Sequence, residues 1–131
     1  MNLKLEQEKF IQLIDKNSFK IKPEITMEFL DLDKFKNDFT LFVEFSNLTF
    51  GNKLDDDCQQ YGNLTVQCYL VFRNNPSKQL NENLLEATDE FYRLLKDNDI
   101  KINSLDFYNY ATGTKYIVAS EFNISLDIKL N

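Results

Sequence analysis

Apolar residues recur along this chain with two different periods, and the switches between them mark its elements. Over residues 3–16, Leu3, Phe10, Ile11 and Ile14 share one side of a helical wheel while Lys4, Glu6, Glu8 and Lys9 fall largely elsewhere, which predicts an amphipathic helix. Asn17 and Ser18 end it, and Pro23 holds Lys22 in extended geometry. Ile25, Met27 and Phe29 then alternate with Thr26 and Glu28, the period of a short strand. Residues 31–38 are charged and turn-like. Leu41, Val43 and Phe45 alternate with Phe42, Glu44 and Ser46 in a second strand. Its continuation, Leu48 and Phe50, has the opposite parity, which predicts a β-bulge near Ser46 and Asn47 or a strand apolar on both faces. A loop over residues 51–57 follows.

The clearest strand spans residues 61–73. Leu64, Val66, Cys68, Leu70 and Phe72 face one way, while Asn63, Thr65, Gln67, Tyr69 and Val71 face the other. After a turn at residues 74–77, Leu80, Leu84, Ala87, Phe91, Leu94 and Leu95 lie at offsets 0, 4, 7, 11, 14 and 15, which predicts a helix over 78–97. Ser77 is the candidate cap at its start, Asn98 closes its end, and Asp89 with Arg93 makes a supporting pair four residues apart. Ile100 and Ile102, then Leu105 and Phe107 at shifted parity, give a strand bulged at Asn103 and Ser104, and Ala111-Thr112-Gly113 is a hairpin tip. Over residues 114–130 the even positions Tyr116, Val118, Phe122, Ile124, Leu126, Ile128 and Leu130 are apolar. A strand this long is central or protrudes.

The order helix, strand, strand, loop, strand, helix, strand, strand predicts an α+β fold. We expect a mainly antiparallel sheet with two amphipathic helices packed on one face, as one domain over residues 1–131. If the strand at 99–109 ran parallel to the one at 61–73, a right-handed crossover would join them.

Composition narrows the chemistry. The 131 residues carry 15 basic and 21 acidic side chains, a net charge of −6, with no histidine and no tryptophan. Without histidine there is no imidazole base, no Ser-His or Cys-His nucleophile pair and no His-bearing zinc site. Gly51, Gly62 and Gly113 lie too far apart for a phosphate-cradling loop or a dinucleotide fingerprint. An acidic chain whose only arginines are Arg73 and Arg93 is poor material for gripping a duplex by its phosphates. The opening residues lack the basic start and apolar stretch of a signal peptide, and no apolar run approaches the roughly 18 residues of a membrane span, so we expect a cytoplasmic origin. Cys58 and Cys68 then read as free thiols. No catalytic residue and no cofactor is expected.

Asp55, Asp56 and Asp57 form the one dense carboxylate cluster. Hard divalent cations take such oxygens, but the glycine and closing glutamate of a calcium loop are missing, and the cluster reads first as a solvated loop tip. The 12 Phe and 6 Tyr sit mostly on the apolar parity of their elements, as core residues do. Tyr69 and Val71, with Ile117 and Ala119, instead share the second face of their strands, and either an intersubunit contact or a covering loop accounts for apolar residues there.

The stretches at 62–72 (GNLTVQCYLVF), 83–95 (NLLEATDEFYRLL) and 117–124 (IVASEFNI) look like the long central strand, the following helix and the final strand of the tail terminator proteins of long-tailed bacteriophages. With the order of elements, the chain resembles that family over nearly its whole length. The entry to the second strand departs from it, with Asn37-Asp38-Phe39-Thr40 where a proline-led approach is associated with the family. The resemblance implies a non-enzymatic protein that forms a homo-oligomeric ring, typically a hexamer. Such a ring caps the tail tube, meets the head-completion proteins, and lets genomic DNA pass its lumen without specific binding. It also implies assembly in the host cytoplasm and a final place in the virion tail, with no membrane partner. Under that reading Asp55, Asp56 and Asp57 are candidates for the lumen or a subunit contact, and Tyr69, Val71 and Ile117 for ring contacts. Two other readings stay open: an intracellular protein-binding adaptor, monomeric or dimeric, and a metal-dependent enzyme using the aspartate loop.

Overall fold

A computed structural model describes residues 1–27, 38–54, 60–74, 78–112 and 115–130. The chain runs α1 (Leu3–Leu13), a 3-10 turn (Lys16–Ser18), β1 (Glu24–Thr26), β2 (Phe39–Leu54), β3 (Gln60–Asn74), α2 (Lys78–Asp97), β4 (Lys101–Thr112) and β5 (Lys115–Lys129). The five strands form one mixed sheet in the order β1-β2-β3-β5-β4. Only β1 on β2 is parallel; β2–β3, β3–β5 and β4–β5 are antiparallel. This is the α+β, mainly antiparallel architecture expected.

Both predicted bulges are present, as shifts of pairing between Phe45 and Asn47 in β2 and between Ile102 and Ser104 in β4. Each moves the apolar residues after it back onto the core parity: Leu48 pairs with Leu64, and Leu105 with Phe122. One correction concerns the loop expected from residue 51. β2 continues to Leu54, which pairs with Gln60, because the partner strand supplies ladder hydrogen bonds where the local sequence is polar.

β3 and β4 are both antiparallel to β5, so they run in the same direction with β5 between them. The helix α2 bridges the two and packs over β3 and β5. Leu80, Leu84, Ala87, Phe91 and Leu95 of α2 are buried in one cluster with Leu64, Val66, Cys68, Leu70 and Phe72 of β3 and Val118, Phe122 and Ile124 of β5. Phe10 and Ile14, from α1 and its end, belong to the same cluster. Each large side chain so buried contributes about 1.5–3 kcal/mol.

Aromatic packing ties the amino-terminal segment to this core. Phe19 stacks on Phe91 at 6.2 Å and meets Phe39 edge-on at 5.7 Å, and Phe39 stacks on Phe72 at 4.2 Å. Beside them the Lys20 N–H donates to the Glu90 carboxylate at 3.2 Å. Inside the core, Thr88 Oγ1 donates to the Leu84 carbonyl at 2.7 Å, and Thr88 and Ser120 share a hydrogen bond of 2.9 Å. That buried hydroxyl pair fixes the rotation of α2 against β5.

The end of α2 differs in detail from the expectation that Asn98 closes it. Asn98 Nδ2 donates to the Leu94 carbonyl at 2.8 Å, but the left-handed residue is Asp99, at φ 56°. The Asp99 N–H reaches the Lys96 carbonyl and the Ile100 N–H reaches Leu95, the paired bonds of a Schellman motif, with Leu95 and Ile100 both buried. Arg93 Nε donates to the main-chain carbonyl of Asp89 at 3.4 Å, so the pair meets through the backbone. Ser77 and Gly113 lie outside the described residues. Among those described, no helix is long and apolar enough to cross a membrane.

Candidate functional site

The sheet face opposite the α2 core carries its own small cluster. Cross-strand pairing puts Thr40, Val71, Ala119 and Tyr108 in one row and Arg73, Ile117 and Tyr110 in the next. A third row, on the other side, holds Phe42, Tyr69, Glu121 and Asp106. Val71, Ile117 and Ala119 are buried, with Tyr69 half-buried against them, and every member of this cluster comes from β3 or β5.

Tyrosines rim the cluster. Tyr69 stacks on Phe42 at 5.6 Å and donates to Gln67 Oε1 at 2.8 Å. Burial pushes its hydroxyl pKa up, and the nearby Glu121 and Glu44 carboxylates add to the rise. Tyr108 donates to Glu121 Oε2 at 2.6 Å. That hydrogen bond, with some burial and the charges of Glu121 and Asp106, pushes the Tyr108 pKa up to about 12. Tyr108 and Tyr110 are exposed, each about half its surface.

Two polar atoms beside the cluster stand out. Thr40 Oγ1 and Arg73 Nη1 are buried without a hydrogen bond among the described residues. An unmet buried donor costs about 1–3 kcal/mol, and more for a charged group. Both sit on strand neighbours of the apolar patch: Thr40 pairs with Val71 and Arg73 with Ile117. The face therefore combines a small buried apolar cluster, three tyrosines and one buried guanidinium nitrogen without a hydrogen bond among the described residues.

Of the candidates that the sequence singles out, the fold brings Tyr69, Val71 and Ile117 together. Val71 and Ile117 are covered within the single chain, so the residues around them form the surface of this face. Tyr108 and Tyr110 complete the rim and are not among those candidates. A signal for them exists, since both lie on the parity of β4 that faces Ala119 and Ile117. Asp55, Asp56 and Asp57 lie outside the described residues, as does Cys58. Cys68 is wholly buried, and burial pushes its thiol pKa up. Among the described residues no group of three or more Cys, Asp or Glu is placed to hold a metal ion. A polar cleft of about 320 Å³ at the end of α2 holds Asp99 and Asp127 and opens to solvent.

Comparison of the chain with known protein families and with curated proteins returns no match in either.

Proposed function

We propose that this protein is a structural, ring-forming component of the phage tail-terminator type. In this reading copies assemble in the host cytoplasm into a hexamer that caps the tail tube and joins it to the head, with genomic DNA passing the lumen. The observation that carries the reading is the second sheet face: an apolar cluster of Val71, Ile117 and Ala119 flanked by the half-exposed rings of Tyr108 and Tyr110 on the edge strand. A neighbouring copy seated beside β4 covers the exposed rings of Tyr108 and Tyr110. Charge agrees with the role, because a protein of net charge −6 repels phosphate and lets DNA slide rather than stick.

The test changes the exposed rim and spares the covered centre. In a Tyr108→Asp, Tyr110→Asp variant, light scattering behind size exclusion is expected to read a folded monomer, while the unchanged chain reads a ring. Equal ring masses for the two would remove this face from assembly. A tight dimer of the unchanged chain would favour the adaptor reading, because a dimer uses one self-complementary patch and a ring two different ones.

A further inference from the structure

Among the described residues the sheet ends in two open edges of different make. β4 forms one border, and its pairing with β5 runs unbroken over residues 104–112. On the opposite side β1 covers only Thr40, Leu41 and Phe42, so among the described residues β2 from Val43 onward meets β3 alone. Soluble proteins blunt open edges with lysine, proline or a bulge. Over residues 105–110 β4 has none of these; Asp106 is its single charge there. Each edge instead exposes a phenylalanine: Phe107 on β4 at 52% and Phe50 on β2 at 65%.

Direction and face both fit the two edges to each other. β2 and β5 are antiparallel to β3, and β4 is antiparallel to β5, so β4 runs opposite to β2. A cyclic rotation about an axis tilted from the strands keeps their sense, and it brings β4 of one copy beside β2 of the next in antiparallel order with a stagger. Phe107 pairs with Ser120, which pairs with Leu70, and Phe50 pairs with Gly62. Leu70 and Gly62 share the core-facing parity of β3, so both phenylalanines stand on the same face of the sheet. Setting Phe107 opposite Phe50 places Tyr108 against Thr49, Asn109 against Leu48 and Asp106 against Gly51, with no like charges paired.

We propose that β4 of one copy adds to the free edge of β2 in the next, with Phe107 packed on Phe50. The partner is a second copy of this chain. A β4–β4 twofold satisfies one edge and leaves both β2 edges open, whereas the head-to-tail junction satisfies both. The junction staggers neighbouring copies along the strands, as closure of a sheet requires. This proposal rests on the ring reading above and adds its seam.

Disulfide trapping tests it in a Cys58→Ser background, with Cys68 shielded in the core. Directly paired strand positions lie within reach of a disulfide. Phe50→Cys and Phe107→Cys chains, each matched to the parent by circular dichroism, are expected to stay unlinked alone and to form a linked dimer when mixed under mild oxidation. The double variant is expected to give a ladder of linked copies. Linking of Phe107→Cys to itself would overturn the proposal in favour of a β4 twofold. No linking, with a ring mass retained by the unchanged chain, would overturn the seam and leave the ring reading standing. No linking and a monomeric unchanged chain would overturn both. Hydrogen exchange reads the seam without substitution: the amides of residues 105–110 are expected to slow on assembly, and unchanged exchange in a proven ring would contradict it.

Discussion

The two faces of the sheet are built from the same strands yet solve different problems. On the α2 face, Leu64, Val66, Cys68, Leu70 and Phe72 lie under a helix, and the hydroxyls that enter the core satisfy each other. On the other face, Tyr69 packs against Val71, Ile117 and Ala119, and Thr40 Oγ1 and Arg73 Nη1 beside them lack a hydrogen bond among the described residues. Buried polar groups are mostly paired, so by that measure the second face is the less complete of the two. Buried apolar packing is concentrated on the first face.

That contrast is breakable by substitution. Phe91 is fully buried between Phe19 and Phe122, so Phe91→Ala is expected to cost about 3–5 kcal/mol in urea unfolding. Val71→Ala on the other face is expected to cost about 2 kcal/mol. A larger loss at Val71 than at Phe91 would invert the assignment of the faces.

Thr88→Val is expected to cost about 1–2 kcal/mol by stranding the Ser120 hydroxyl, and adding Ser120→Ala is expected to recover part of it. Strict additivity of the two would mean the hydroxyls do not act as a pair. The smallest effect is a titration. Tyr108 ionises near pH 12, above the ordinary value of 10.0, so its hydrogen bond to Glu121 is fully present below pH 10 and is lost as pH rises through 12. Absorbance at alkaline pH is expected to show Glu121→Gln bringing the Tyr108 transition down. An unmoved transition would mean that Glu121 does not hold the tyrosine.

How much of this can be read in the sequence follows from what periodicity measures. Alternation finds the buried row of β3 and the even row of β5, and the helical period finds α2 at residues 78–97, because apolar burial repeats with the geometry of each element. Thr88 and Ser120 escape it, since a pattern of apolar residues does not register two hydroxyls that satisfy each other. Phe50 and Phe107 have core parity but stay exposed, because parity gives the face and not whether a helix extends over that part of it. The polar stretch after Gly51 conceals the end of β2, where pairing with β3 outweighs local preference. At the candidate site, the excess of apolar residues on the second face points to Tyr69, Val71 and Ile117. The tyrosine rim needs the register of β4 against β5, which a bulge makes hard to count across.

The most direct test of the account is the mass of the unchanged chain in solution by sedimentation velocity over a concentration series. A single closed species at six times 15.5 kDa, with no dimer accumulating on the way, is the result the account predicts. A species of 15.5 kDa at every concentration, or a dimer that grows no further, would contradict it.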